Sequence, residues 1–110
     1  MWARNTDAYD LLIYVANWPK KRIAAWDVLL KARAIENMAY CIGVNRVGLD
    51  GNGYEYTGHS GAYDALGRSI CDRTSQESEW IETLILQKEH IATLRDQLKF
   101  LDDQDSFQLK

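Results

Sequence analysis

The sequence DLLIYVAN, residues 10–17, is the stretch that decides the fold class. Residues 11–16 form a continuous apolar run without polar alternation, which is typical of a strand that is buried on both faces of a sheet covered by helices. Periodicity alone does not exclude a helix, but the run is short and Pro19 ends it. We therefore predict a buried strand at this position.

The segment that follows, residues 21–39, predicts a long helix because it contains five alanines and many other good helix formers. An apolar stripe runs along one side of it, and further apolar residues widen that stripe. We therefore expect this helix to be largely covered by neighbouring layers. The stripe consists of Ile23, Trp26, Leu30, Ala34 and Met38, and it is widened by Val28, Leu29, Ala32 and Ile35.

The rest of the chain predicts several more strands and a second helix. This order is that of an α/β fold, with a mixed sheet and two main helices. Residues 1–110 show no internal repeat and no domain boundary. The predicted elements are a buried strand at 40–47, a turn-rich loop at 48–53, strands at 54–64 and 68–72 joined by a turn, a polar loop at 73–77, a strand at 79–87, and a helix at 88–101 with Ile91, Leu94, Leu98 and Leu101 on one face.

Composition and charge describe an ordinary globular chain. The 110 residues are 46% hydrophobic and 26% charged, with a net charge of −3, which does not fit a disordered segment. No basic run extends beyond residues 20–22, so we expect no nucleic-acid partner. No apolar run approaches the roughly 20 residues that cross a bilayer, and the start lacks the apolar core of a signal peptide. We therefore expect a cytoplasmic protein without a membrane partner.

Cysteine and histidine are the residue types that a thiol hydrolase or a zinc site would need. No local motif activates Cys41 or Cys71, and both fit reduced thiols; Cys41 lies in a predicted strand and is interpreted as a small core residue. His59 lies near two glycines, and we predict a strand-end hydrogen bond for it. His90, near the start of the last helix, is predicted to be solvent-exposed. The spacing of these residues predicts no metal site.

Two groups of polar residues interrupt apolar surroundings. Arg33 and Glu36 are three positions apart in the predicted helix, beside Asn37, and charges in a covered region must be paired. We predict a structural ion pair that ties the helix to a neighbouring loop. Asn17 and Trp18 follow the first buried strand, at the end of a sheet where ligands gather in α/β folds. They could line a pocket there, and a packed turn with Trp18 filling core space is an equal alternative.

Taken in order, five motifs resemble the nitrilase superfamily, and most closely the bacterial omega-amidase-like carbon–nitrogen hydrolases. Each motif is weak alone, but the ordered set with this spacing is fairly specific and covers nearly the whole chain. The motifs are YDLLIYVANWP at 9–19, Trp26, ARAIEN at 32–37, NRVGLDGNG at 45–53 and GHS at 58–60.

The resemblance implies a four-layer α-β-β-α sandwich for the complete enzyme, with residues 1–110 as its C-terminal part. It also implies hydrolysis of a small non-peptide amide by a Glu-Lys-Cys triad without a cofactor. In that reaction the thiolate attacks the carbonyl, ammonia leaves, and water releases the acid from the thioester. All three triad residues precede the matched segment in the family. Neither Cys41 nor Cys71 therefore inherits the role of nucleophile, and no catalytic residue is assigned.

The resemblance also assigns the substrate-binding candidates. Trp18 would lie near the acyl pocket, with Asn17 and Pro19 shaping the loop around it. The helix motif that contains Arg33 resembles a structural one, and the last helix with the tail matches a segment that members often use in subunit contacts. The substrate implied is a short dicarboxylate monoamide.

Three hypotheses follow. In the first, the chain is the C-terminal part of a cysteine-dependent amidase and forms a pocket wall and oligomer contacts, as a homo-oligomer or beside its missing N-terminal half. In the second, it is a non-catalytic assembly or interaction domain on the same scaffold. A third and weaker one is a self-contained thiol hydrolase that uses Cys41 or Cys71. A half sandwich would expose a large apolar face, which favours association.

Overall fold

A computed structural model of the chain describes residues 3–4, 9–72, 78–105 and 108. Within these residues the chain forms five short strands and two α-helices, each helix adjoining one turn of 3-10 helix. The elements are β1 (Leu11–Ala16), a 3-10 turn (Lys20–Arg22), α1 (Ile23–Glu36), β2 (Tyr40–Asn45), β3 (Val47–Leu49), β4 (Glu55–Thr57), β5 (Gly61–Tyr63), α2 (Lys88–Leu98) and a 3-10 turn (Phe100–Asp103).

The main sheet has the strand order β1-β2-β5 and is mixed. Strands β1 and β2 are parallel, with the register running from Leu11 opposite Tyr40 to Ala16 opposite Asn45, and α1 is the crossover between them. Strand β5 is antiparallel to β2, and β3 and β4 form a separate antiparallel ribbon. The predicted α/β class, with a mixed sheet and two main helices, is therefore confirmed.

Helix α1 covers one face of this sheet. Three residues of its predicted stripe, Trp26, Leu30 and Ala34, are buried against Cys41 and Tyr63 of the sheet. The close approach depends on a glycine at position 43 of β2, where a Cβ would lie 2.4 Å from Leu30 Cδ1 and 2.7 Å from Trp26 Cζ2. The predicted stripe is confirmed for these three residues, whereas Met38 is buried beyond the end of the helix. The expectation that the helix is largely covered is wrong, because the residues that widen the stripe, Val28, Leu29 and Ile35, are exposed.

Helix α2 packs on part of the opposite face, because successive side chains of a strand point to opposite faces. Its Ile91 is buried together with Tyr40 and Ala65, and Leu11 and Leu94 pack against this second cluster. Only the Leu11 end of that face is covered by α2. Among the described residues, no helix is both long and apolar enough to cross a membrane.

The prediction that β1 is buried on both faces is wrong for this chain. Ile13 and Val15 point away from α1 and are 56% and 82% exposed, and Val44 beside them is 46% exposed. The outer side of α1 is also uncovered, with Val28, Leu29 and Ile35 exposed. Among the described residues, nothing covers these apolar surfaces, which the sequence marks for burial.

Other differences concern element ends. Residues 79–87 form no strand in the described part of the chain, and 68–72 contribute only a bridge from Ser69 to Tyr63. The side chains of residues 80–86 still alternate in exposure as they would in a strand. Ile81 and Ile85 are exposed, while Trp80, Leu84 and Leu86 are partly buried. What is missing is a neighbouring backbone to form the ladder.

Each helix is shorter than predicted. Helix α1 ends at Glu36 rather than residue 39, because Met38 has a positive φ of 45°. Helix α2 ends at Leu98 rather than residue 101, because Lys99 has a φ of 52°. The predicted polar loop at 73–77 lies outside the described residues.

Candidate functional site

Trp18 lies just beyond the carboxyl end of β1, and the side chain of Asn45 holds its backbone. The Trp18 N–H donates to Asn45 Oδ1 at 2.7 Å, and Asn45 Nδ2 donates to the Trp18 carbonyl at 3.0 Å. A third bond runs from Asn45 Nδ2 to the Gly58 carbonyl at 2.7 Å. Asn45 is itself only 7% exposed. The amide thus takes the place of a strand peptide and extends the hydrogen bonding between β1 and β2 to Trp18, two residues beyond Ala16.

The Trp18 ring is fixed separately, by the turn that leads into α1. Its Nε1 donates to the Arg22 carbonyl at 2.7 Å, and the Arg22 guanidinium carbon lies 4.7 Å from the ring centroid. The Trp26 ring lies beneath it, with 5.6 Å between ring centroids and 39° between planes. Trp18 is therefore a packed turn residue, as one of the two interpretations of the sequence expected.

The other interpretation, a pocket, also has a counterpart. A cleft of about 330 Å³ is lined by both tryptophans, and it is mainly apolar apart from the guanidinium of Arg33 and the phenol of Tyr14. Asn17, the second predicted site residue, is exposed and is not among the residues that line this cleft. The cleft is lined by Ala3, Tyr14, Trp18, Trp26, Leu29, Leu30 and Arg33.

Arg33 forms the predicted ion pair, with Glu36 on the same helix. This hydrogen bond to Glu36 raises the pKa of the guanidinium above its ordinary value, and Tyr14 adds a smaller contribution. Asn37 caps the helix, with Nδ2 donating to the Arg33 carbonyl at 2.8 Å. The structural ion pair is confirmed, and it lies at the end of the helix, beside Tyr14 of β1.

Neither described cysteine has the surroundings of an activated nucleophile. Cys41 is fully buried in β2, and burial raises the pKa of its thiol to about 11. Burial also raises the pKa of Cys71. A nucleophilic cysteine needs a lowered pKa or an adjacent base. The interpretation of Cys41 as a core residue is supported.

Both histidines face carboxylates. His59 has a positive φ of 58°, its Nδ1 lies 3.0 Å from Asp27 Oδ2, and its carbonyl accepts a bond from Trp26 Nε1 at 2.8 Å. This agrees with the structural role predicted for it. The prediction of an exposed His90 is wrong, because its ring packs by Tyr40 and its Nε2 lies 3.5 Å from Asp64 Oδ2. In residues 9–72 and 78–105 no cluster of His, Cys, Asp and Glu could hold a metal.

A second cleft, of about 350 Å³, opens on the uncovered face of the sheet. It is bordered by Val44, Ser60, Cys71 and Glu82 among others. One carboxylate oxygen of Glu82 accepts a bond from the Asp72 N–H at 3.0 Å. The cleft adjoins the same exposed apolar surface that lacks a covering layer.

A comparison with protein families shows what these features belong to. The model of the carbon-nitrogen hydrolase family matches residues 3–96. The chain belongs to this family. It is 44% identical over 107 residues to the omega-amidase YafV of Yersinia enterocolitica, an alignment that spans 92% of this chain and 42% of that protein. It is 32% identical over 104 residues to the 2-oxoglutaramate amidase of Bacillus subtilis, spanning 93% of this chain and 39% of that one.

Solved structures of this family have the same fold. A CN-hydrolase superfamily protein from Xanthomonas campestris superposes with a TM-score of 0.89 at 38% identity, over 99% of this chain and 43% of that one. The carbon–nitrogen hydrolase chain described here thus spans about two fifths of the length of these relatives. The resemblance to the nitrilase superfamily, with its omega-amidase-like members, is confirmed.

Asn45 is the residue of this site that the sequence analysis missed. The motif NRVG was noted only as part of the family pattern. The available signal was an amide at the end of a buried strand, where a carboxamide can replace a missing strand partner.

Proposed function

We propose that this chain is the C-terminal part of a cysteine-dependent amidase that hydrolyses a small non-peptide amide to an acid and ammonia. The Glu-Lys-Cys triad belongs to a preceding segment, and the chain provides a wall of the acyl pocket. Membership of the carbon–nitrogen hydrolase family and the amidase names of its relatives support this proposal. The short dicarboxylate monoamide expected as substrate is consistent with those names.

One observation carries the assignment of the pocket wall to this chain. The Trp18 backbone is bonded at both its N–H and its carbonyl, and its ring is bonded and stacked as well. An aromatic ring that is held at both ends loses little further entropy when a ligand binds against it. It also lies beyond the carboxyl end of a parallel strand, where ligands bind in α/β sheets. We propose that Asn17 shapes the adjoining turn.

The uncovered surfaces support the further proposal that this chain lies within a four-layer sandwich. A second sheet would cover Ile13, Val15 and Val44, and the outer side of α1 would form a contact between subunits. Each of these surfaces is apolar and is left exposed by the described residues, which fits burial in a larger assembly. The partner is the missing N-terminal half or a second subunit.

The test of this proposal is an activity assay on a longer protein. The coding sequence is extended to include the in-frame upstream sequence, the protein is produced, and ammonia release from 2-oxoglutaramate is measured. We expect activity that is abolished when an upstream cysteine is replaced and retained when Cys41 and Cys71 are both replaced by alanine. An unrelated upstream sequence, or activity that disappears with Cys41 or Cys71, would contradict the proposal.

A variant of Trp18 tests the pocket wall. Trp18→Ala in the longer protein is expected to lower kcat/KM by about tenfold or more, since an aromatic pocket contact is lost. Tyr54→Ala, at an exposed aromatic residue, serves as the control. An unchanged rate and an unchanged substrate preference in Trp18→Ala would remove Trp18 from the pocket.

The exposed apolar surfaces also fit the second function, a non-catalytic assembly domain. In that case the 110-residue chain alone would be a well-behaved monomer or homodimer. A chain that aggregates unless the upstream half is produced with it would instead favour the amidase.

A further inference from the structure

The environment of Asn45 is more specific than a buried amide requires. Asn45 is the last residue of β2 and lies opposite Ala16, the last residue of β1. This is the last pair of the β1–β2 register. Beyond it, the backbone N–H and carbonyl of Trp18 are bonded to the side chain of Asn45.

Every polar group of this asparagine is used. Its two Nδ2 hydrogens go to the carbonyls of Trp18 and Gly58, and its Oδ1 accepts from Trp18. Its own N–H donates to Ser60 Oγ at 2.9 Å, and that hydroxyl donates back to the Asn45 carbonyl at 3.2 Å. Ser60 thus holds the Asn45 backbone, and the carboxamide cannot rotate without breaking its own bonds to Trp18 and Gly58.

Only a carboxamide of this length satisfies all three bonds. A carboxylate would place one oxygen, in the position of Nδ2, against both the Trp18 and the Gly58 carbonyls, and it has no donor for either. A leucine of similar shape would leave one N–H and two carbonyls without partners in a buried place, and each such loss is costly. The site therefore requires the donor and acceptor groups of asparagine, and a side chain of the same volume without them would not satisfy it.

From this geometry we infer that Asn45 is a positioning residue of the acyl pocket, which acts by setting the place of Trp18. The inference rests on the proposed amidase function. Asn45 fixes the backbone of Trp18, and the Arg22 carbonyl with the Trp26 ring fixes its side chain. Removal of the amide frees the backbone end and lets the ring move from the wall of the pocket. The substrate is then bound less tightly, in the ground state and the transition state alike.

The test is a double-mutant cycle in the longer protein. We expect Asn45→Asp to raise KM about tenfold and to change kcat by less than about threefold, because uniform binding is lost. In a Trp18→Ala background the same change is expected to leave KM almost unaltered. An unaltered KM in Asn45→Asp, or an equal rise in both backgrounds, overturns the inference. Asn52→Asp, in an exposed turn, is the matched control and is expected to leave both constants unaltered.

A spectroscopic measurement separates this inference from the proposed function. Two tryptophan rings 5.6 Å apart and inclined at 39° give an exciton couplet in far-ultraviolet circular dichroism, which the difference between wild type and Trp18→Phe isolates. We expect this couplet to weaken in Asn45→Asp and to persist in Asn52→Asp. A couplet that is unchanged in Asn45→Asp overturns the positioning role, whereas a wild-type protein without amidase activity overturns the proposed function alone.

A second variant covers the case in which Asn45→Asp does not fold. Ser60→Ala keeps the carboxamide but removes the hydroxyl that bonds the backbone N–H and the backbone carbonyl of Asn45. We expect a smaller rise in KM, about threefold, with a weaker couplet. A purely structural residue would lower the thermal midpoint and the folded fraction while leaving KM and the couplet of the folded protein unchanged, and that result in Ser60→Ala overturns the inference.

Discussion

The guanidinium of Arg95 donates to Asp10 Oδ1 at 2.7 Å and so joins the last helix to the residue before the first strand. Further bonds run from Arg95 to the Tyr9 carbonyl at 2.7 Å and to the Met38 carbonyl at 3.1 Å. One side chain therefore holds α2, the start of β1 and the turn after α1 together. The planar guanidinium, with five donors, is suited to this task.

We predict that Arg95→Met lowers the free energy of unfolding by about 2 kcal/mol, because a charged acceptor and two carbonyls lose their donor. The control is Lys88→Met, since Lys88 also pairs with Asp10, at 3.6 Å, but its side chain is 82% exposed. That variant is expected to change the free energy by less than about 0.5 kcal/mol. Urea unfolding followed by circular dichroism measures both. Equal effects of the two substitutions on the free energy of unfolding would show that the bonds of Arg95 do not hold α2 to the start of β1.

Gly43 is predicted to be intolerant of a single methyl group. A Cβ there would lie 2.4 Å and 2.8 Å from the two Cδ atoms of Leu30, so the buried Leu30 side chain would have to shift or α1 would have to move away from the sheet. Gly43→Ala is expected to cost about 1–3 kcal/mol of unfolding free energy. Gly51→Ala is the matched control, because a Cβ at Gly51 meets nothing within 4 Å. Thermal or urea unfolding that ranks Gly51→Ala as the more damaging change would refute this packing argument.

Stability is predicted to fall at alkaline pH through Cys41. Burial raises the pKa of this thiol from 9.0 to about 11, so the unfolded chain ionises it before the folded chain does. Its contribution is complete below pH 9 and is lost as the pH rises towards about 11. We expect the drop in unfolding free energy between about pH 8 and about pH 10.5 to be smaller in Cys41→Ala than in wild type.

Nearby tyrosines contribute to the same difference. Tyr9, Tyr14 and Tyr63 also have a raised pKa, mainly through burial and in part because of the charge on Cys41, so the difference between the two proteins measures Cys41 together with its coupling to these phenols. Parallel curves for wild type and Cys41→Ala would mean that Cys41 is not desolvated in the folded chain.

The uncovered sheet face gives a prediction that depends on the length of the protein. Val15 is 82% exposed in this chain, so Val15→Lys should change its stability by less than about 0.5 kcal/mol and reduce its self-association. In the longer protein a second sheet would bury the added charge, at a cost of several kcal/mol. Val28→Lys, on the outer side of α1, is expected instead to dissociate subunits and leave each one folded.

Unfolding curves and sedimentation velocity of both variants, at both lengths, measure this difference. A Val15→Lys variant of the longer protein that is as stable as wild type would contradict the proposed four-layer sandwich.

Local pattern was enough to predict much of the fold. The continuous run in β1 predicted a strand, the alanine-rich stretch predicted α1, and the spacing of Trp26, Leu30 and Ala34 predicted which side of it is buried. These features depend on interactions between residues close in sequence and on the periods of the helix and the strand. The ordered motifs also predicted the family, which the comparisons confirm.

Neighbours distant in sequence decided the rest. The alternation at 79–87 predicted a strand, but a strand needs a backbone beside it, and the described residues provide none. The apolar run of β1 predicted cover on both faces, but within the described part of the chain nothing covers Val15, which is exposed. A hydrophobic pattern indicates which side chains are suited to burial, whereas the residues that cover them are distant in sequence or belong to another chain.

The sequence by itself determined the strand and helix types, the buried stripe of α1 and membership of the carbon–nitrogen hydrolase family. Only the tertiary structure decided which groups meet: Asn45 with Trp18, 27 residues apart, and Arg95 with Asp10, 85 residues apart. The physical reason is the difference in range. Periodicity and propensity act within a few residues, whereas a hydrogen bond across strands forms only after the chain has folded and brought its two partners to within about 3 Å.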